Sequence, residues 1–355
     1  MRLEHAIKRI KYFDSLPHPI ESKWYGLDSH LLDWLGLPRS VQIVVQMYHG
    51  PDSYSDTLPV YLARQAPVLV GRDETKENYE KQGKVAFVTG SVHAHYRHMQ
   101  GIQKSPDARG TIAFPSHSTH HNHAQFDVAS YAEKLLALPE RFQPVAVCAY
   151  WKDILNGNTQ AFLDRGIPVF TAGHIFDPNF CVEFYDILKN FAYATSNVAL
   201  GTASFLSIEM GLPFFVMGAE AHYFLDGQDP NINEDWSTET RFIERACQDP
   251  LAKEFYRILP RWEDMAPDAD VTLSKTLADL TFHMMGGNAK IDKHQLRKLI
   301  FLSHIQTNPS VMHKVKWLIY NQDILPKDVC SSIFHDNPEM RDLCHVLREY
   351  PEIFR

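Results

Sequence analysis

The chain lacks the features that would assign it at a glance. Its five cysteines, Cys148, Cys181, Cys247, Cys330 and Cys344, are odd in number and form no CxxC pair. That argues against a disulfide framework or a zinc knuckle and fits a reducing cytoplasm. No apolar run approaches the roughly 18 residues of a membrane span, and the N-terminal MRLEHAIKRIKYFDSL carries charge throughout instead of the apolar stretch of a signal peptide. Basic residues are not in excess. With a formal net charge of -8 and a pI near 6.2, nothing in the overall charge draws the protein to nucleic acid. GxGxxG, the Walker GxxxxGK[ST], HExxH and HxHxDH are all missing, which removes the standard dinucleotide, P-loop and metallohydrolase signatures.

What is present is ordinary globular text: 45% hydrophobic and 22% charged over 355 residues, longer than one hydrophobic core usually spans. Eight apolar, often β-branched runs recur: SVQIVVQMYHG (40–50), APVLVG (66–71), KVAFVTGS (84–91), GTIAFPSHS (110–118), QPVAVCAYW (143–151), GIPVFTAG (166–173), FAYATSN (191–197) and LPFFVMG (212–218). Helix-like stretches separate them, among them DETKENYEKQG, FDVASYAEKLLALPERF and DPNFCVEFYDILKN, the last with Asp177 as cap and Pro178 as first helical residue. Continuous apolar strands alternating with helices predict an α/β protein with parallel sheet covered on both faces. After Gly218 the pattern predicts no further strand, only helices.

Two amphipathic segments flank this body. Leu3, Ala6, Ile7, Ile10 and Phe13 share one face of an N-terminal helix, which either packs on the protein or lies on an anionic membrane surface. Between Ala289 and Gln322, six Lys/Arg face one Asp, as expected of a solvated helical face or of a surface for phosphate-rich partners.

In open parallel sheets ligands bind beyond the carboxyl ends of the strands, and those ends are polar here. They carry His49 and Asp52; Ser91, His93 and His95; Ser116, His117, Ser118 and Thr119; Lys152; Gly173, His174 and Asp177; and Ser196 and Asn197 followed by Gly201, Thr202 and Ser204. A helix starting at Gly201-Thr202-Ala203-Ser204 offers orphan backbone N–H groups and small residues to an anion, although a plain hydroxyl cap would look the same. Imidazoles are dense at His93, His95 and His98 and again at His117, His120, His121 and His123, so a His-rich metal-dependent hydrolase is one alternative. Glu209, Glu220 and His222 keep a sugar-nucleotide epimerase or hydrolase open, and a non-catalytic binding protein is a third reading.

The ordered set G-I-P-V-F, A-G-H-x-x-D-P-x-F and S-N-x-x-L-G-T-x-x-x-x-x-x-x-G-L-P between Gly166 and Gly218, with Phe114-Pro115-Ser116-His117-Ser118-Thr119 before it, resembles the donor half of GT-B glycosyltransferases. The likeness is to the sialyltransferase-like and Kdo-transferase-like enzymes of bacterial surface polysaccharides, covers about a third of the chain, and departs from the sialyltransferase pattern in placing Ser118 after His117. It implies two Rossmann-like domains facing a cleft: residues 1–107 on the acceptor side, 108–288 for the nucleotide sugar, and 289–355 a helical C-terminal extension. It also implies metal-independent transfer of a sugar from a nucleotide-activated donor, bound as substrate with no further cofactor, to a hydroxyl of a glycan or lipid-linked acceptor. Such enzymes generally need no DxD metal motif, and the single Asp268-Ala269-Asp270 lies outside the strand pattern. On this likeness Asp52 is the first choice of base, with His49, His93 and His95 as competitors. His117, Ser118, Thr202 and Ser204 meet the phosphate, Lys152 adds charge, Gly173, His174 and Asp177 line the base and ribose, and Ser116, Thr119, Ser196, Asn197 and Gly201 belong to the donor site. Metal ligands and nucleic acid are not expected, and the setting is cytoplasmic with a peripheral contact to the inner membrane face open to it.

Overall fold

A computed structural model describes residues 3–120, 122–225, 248–266, 268–320 and 337–354. Each of the eight apolar runs contains a strand, and these form two parallel sheets. The first has three strands in sequence order: β1 (Gln46–Met47), β2 (Val68–Val70) and β3 (Ala86–Val88). The second has five, β4 (Thr111–Ala113), β6 (Val145–Cys148), β7 (Val169–Phe170), β8 (Tyr193–Ser196) and β9 (Phe214–Val216), in the order β7-β6-β4-β8-β9. Ile112, Ala113, Val147, Ala194 and Phe215 are fully buried, as expected of strands covered on both faces. Polar groups inside these strands are spent on backbone, as where Thr195 Oγ1 donates to Phe215 O at 2.8 Å, which leaves ligand chemistry to the strand ends.

The expectation of no strand beyond Gly218 is corrected. His222–Leu225 (β10) pairs antiparallel with Asn122–Gln125 (β5), with Phe224 opposite His123. The pair escapes the apolar-run pattern because β5 alternates half-buried and exposed residues and buries none of its own fully. A second correction concerns the helix expected from Asp177. It runs Phe180–Leu188 with Asn179 as its N-cap, because Asp177 is committed elsewhere.

The N-terminal helix, Leu3–Asp14, buries Ala6 and Ile10 and packs Leu3, Ile7 and Phe13 against the core beside β6 and β7. Ile10, fully buried, contributes about 1.5–3 kcal/mol. Arg9 reinforces the dock through two bonds to the buried Asp177 carboxylate, 2.5 and 2.6 Å. Toward the other end, the helix Lys275–Met284 leads back to the first sheet, where Ser91 donates its N–H to Met285 O at 3.0 Å. There Gly286 (φ +78°) is required: a Cβ would stand 1.9 Å from Gly71 O. The basic stretch forms helices Lys293–Thr307 and Pro309–Tyr320, whose Leu296, Ile300, Phe301, Val311, Val315 and Leu318 are buried; its last residues, 321 and 322, lie outside the described ones. No described helix is long and apolar enough to cross a membrane.

Candidate functional site

Numbered along the chain, the strands of the five-stranded sheet lie 3-2-1-4-5, so the winding direction reverses between β4 and β8. Crossover helices on opposite faces leave a crevice at the carboxyl ends of those two strands. The structure places a cavity of about 540 Å³ there. Ser116, His117 and Thr119 enter from the β4 side, and Ser196, Gly201 and Thr202 from the β8 side. Ser53 and His93, which follow β1 and β3, face them from the three-stranded sheet. The gap is narrow at one point, where a Cβ on Gly50 would sit 3.1 Å from Thr202 Oγ1.

The helix Thr202–Glu209 opens on this cavity with Gly201 as N-cap, which has no side chain to accept the first helical N–H groups. Ser204 does not reach the cavity. Its hydroxyl accepts from Gly201 N at 3.3 Å and lies 2.8 Å from Ala199 O, which fixes the turn that exposes Thr202. Asn197 likewise works behind the wall: Oδ1 accepts Ser116 N at 2.7 Å and Nδ2 donates to Ala219 O at 2.8 Å, tying the β8 tip to the β4 tip. Ser196 Oγ donates to Phe114 O at 2.6 Å and takes Val198 N–H at 3.0 Å. Ser118 is tied to Asp153 by its N–H and its hydroxyl, 3.0 and 2.9 Å, so it holds the loop and not the ligand.

His117 is exposed to the cavity, its ring stacked 4.1 Å from that of Tyr150. Nδ1 lies 3.2 Å from Ser118 O. A carbonyl only accepts, so Nδ1 carries the proton and Nε2 keeps its lone pair for the cavity. The encircling protein walls hold its pKa below the ordinary value by desolvation, with the Asp153 carboxylate and Ser118 O pulling the other way. His93 is buried and its pKa is lowered to about 3, by desolvation first and then by His30 and His49. Both imidazoles are therefore neutral at pH 7. Among the described residues the cavity wall carries no lysine or arginine.

Tyr25 completes the wall between the two sheets and has the one positive φ of a non-glycine residue among those described, +60°. A left-handed tyrosine costs about 1–2 kcal/mol. Its N–H donates to Ile175 O at 2.5 Å and its hydroxyl bonds that of Tyr150 at 3.1 Å, which offset that cost. Neither Tyr25 nor Tyr150 stood out in the sequence, because lone aromatics beside apolar runs read as core.

Several residues expected at the site are elsewhere. Asp52 is buried behind Ser53, its Oδ2 accepting Gly71 N–H at 2.8 Å. Burial raises its pKa to about 6 against the pull of Thr75, Arg72 and the Gly71 N–H. His49 lies exposed between Trp24 and Tyr25, 5.0 and 5.8 Å ring to ring, without lining the cavity. His95 is stacked on Trp34 and donates Nε2–H to Thr89 O at 2.6 Å. Lys152 lies over the Trp151 ring. Gly173, His174 and Asp177 sit beneath the N-terminal helix: Gly173 N–H donates to Thr171 Oγ1, and Asp177 is held by Arg9. Glu209 is held by Arg97 at 2.5 Å and His98 at 2.9 Å, away from the cavity.

The histidine runs scatter. His93 and His117 reach the cavity, His123 is exposed on β5, and His121 lies outside the described residues. Asp14, His120 and His174 do bring three potential ligand atoms within 4.8 Å of one another. His174 Nδ1, however, accepts Phe176 N–H at 3.1 Å, so its Nε2 carries the proton and points at Asp14, 3.7 Å away. An imidazole in that tautomer offers a metal no lone pair at Nε2.

No protein-family model matches the chain, and no curated protein and no solved structure matches it either.

Proposed function

We propose that the cavity holds a phosphate-linked donor and that the protein transfers a sugar from a nucleotide-activated donor to a hydroxyl, in a GT-B-like arrangement of two Rossmann-like halves. The observation that carries this reading is the meeting of Ser116, His117 and the glycine-capped Gly201-Thr202 helix start in one cavity at the strand-order reversal, faced by His93 from the other sheet. Helix N–H groups and the helix dipole attract an anion there. His117 Nε2, with its lone pair toward the cavity, takes a proton and donates it in a charge-assisted bond to the phosphate.

Transfer breaks the bond between the anomeric carbon and the phosphate oxygen while the acceptor oxygen bonds that carbon. Negative charge then grows on the departing phosphate, where the helix start and the His117 imidazolium stabilise it. The acceptor proton goes to a base on the opposite wall. With Asp52 held by Gly71 N–H, His93 is the imidazole on that wall; burial lowers its pKa to about 3, so it accepts the acceptor's hydrogen bond and takes the proton only late, as the acceptor oxygen bonds the anomeric carbon. The glycan or lipid-linked acceptor and a peripheral membrane contact belong to this same proposal.

The test is a thermal-shift panel of CMP, CDP, UDP, GDP and ADP, with and without EDTA, on the wild type, His117→Ala and Thr202→Val. A ligand at 100 times its Kd stabilises the native state by about 2.7 kcal/mol. One nucleotide should raise the Tm regardless of chelator, with a smaller rise in both variants. If none stabilises the wild type, or both variants respond as it does, the cavity is not a nucleotide site.

A further inference from the structure

A second cavity of about 120 Å³ shares Pro115, Ser116, Ala149 and Tyr150 with the first, so the tips of β4 and β6 form a partition between them. Ser116 stands in that partition, 4% exposed, with its N–H used by Asn197 and its Oγ without a hydrogen-bond partner. Buried hydroxyls are normally satisfied, so this one is available to a ligand atom in either cavity.

The chemistry of the small cavity differs from that of the large one. Phe126 and Phe162 give it aromatic walls, and Gln125, Asn158 and Thr159 give it a polar edge. Asn158 donates one amide N–H to Asp153 Oδ1 at 3.0 Å, which leaves its amide oxygen and second N–H for a ligand. Asp153 is itself filled by Ser118 and Asn158. An anion is disfavoured, because among the described residues the lining has no cation and includes that carboxylate. Aromatic faces with amide groups at the edge suit a neutral, flat heterocycle with donors and acceptors on its rim. At about 120 Å³ against about 540 Å³ for the large cavity, the small one favours a single ring.

We propose that the small cavity seats the nucleobase of the donor, a pyrimidine, with the phosphate reaching past Ser116 to His117 and the helix start in the large one. This rests on the reading of the large cavity as a donor site. It also moves the base away from Gly173, His174 and Asp177, which the N-terminal helix covers.

The experiment is a crystal soak with 5-bromouridine 5′-monophosphate, read by bromine anomalous scattering. Calorimetry with UMP, AMP, ribose 5-phosphate and pyrophosphate on the wild type and Asn158→Ala accompanies it. Bromine between Phe126 and Phe162, tighter binding of UMP than AMP, and a tenfold or greater loss of UMP affinity in Asn158→Ala with ribose 5-phosphate unchanged are expected. Bromine in the large cavity, or UMP affinity unaltered in Asn158→Ala, overturns the base site and leaves the phosphate site standing. Failure of every probe, pyrophosphate included, overturns both.

Discussion

Replacing His117 by alanine should remove the imidazole's share of the pH dependence of donor binding. In the free protein the imidazole is surrounded by Tyr150, the Ser118 carbonyl and the Asp153 carboxylate, and desolvation holds its pKa below the ordinary 6.5. Nδ1–H is fixed on Ser118 O, so the proton gained on binding an anion goes to Nε2. A hydrogen bond to a charged group contributes about 1.5–3 kcal/mol, a factor of roughly 10 to 100 in affinity. The sign follows from linkage: the protonated form binds better, so the bound pKa lies above the free one. Affinity is greatest below the free pKa, falls by at most about tenfold per pH unit between the free and bound values, and is flat above the latter. The window therefore opens below pH 6.5. Calorimetry from pH 5.5 to 8.5, in two buffers of different ionisation heat, should count up to one proton taken up per donor bound by the wild type. The phosphate's own titration is common to wild type and His117→Ala, so the difference between their profiles isolates the imidazole. Superimposable profiles would refute the assignment of His117 to the phosphate.

Three further perturbations test the frame. Asp249→Ala strips the buried Arg72 of its carboxylate and uncaps the helix Pro250–Ile258, and should cost about 3–5 kcal/mol in urea denaturation; a loss below about 1 kcal/mol would contradict the buried pair. Gly286→Ala forces an alanine to φ +78° against Gly71 O and should lower stability by more than about 2 kcal/mol, read as a fall in urea midpoint; an unchanged midpoint would refute that close approach. Arg9→Ala leaves the Asp177 carboxylate with the Asn179 N–H at 2.9 Å and should cost about 1–3 kcal/mol, with faster hydrogen exchange confined to the Leu3–Asp14 helix and its footprint; uniform exchange would show that the helix is not docked through Asp177.

The strands of the two parallel sheets were legible because burial on both faces demands unbroken apolar runs, and every such run holds one. β5 and β10 were not, because a pair at the edge of the cavity needs no such run; His222-Tyr223-Phe224 reads as loop until Ala124 and His123 stand opposite it. At the site, small residues at the β4 and β8 tips were legible through chain geometry alone: a ligand crevice follows from strand order, and Ser116, His117, Gly201 and Thr202 fall on it. Charged and imidazole residues were harder. Asp177 and His174 end a strand as the others do, yet Arg9 and Asp14, more than 150 positions away, claim them. Tip position tells which residues can face a ligand. Which of them do depends on pairings that only the folded chain reveals.

The absence of lysine and arginine from the described cavity wall constrains how an anion can be held there. A fixed cation would bind phosphate before and after transfer alike. Helix N–H groups act as a partial charge of roughly half a unit, and an imidazole with depressed pKa adds a full one only when an anion is present. In the proposed transfer, charge stabilisation therefore rises as the phosphate becomes more negative, the behaviour required of a group that favours the transition state over the bound donor. The fold supplies the rigidity this needs: Asn197 ties the two tips, Ser204 sets the helix start, and Asp153 locks the loop that carries His117. Each of these side chains is spent within the protein, so that Thr202 and His117 remain for the ligand.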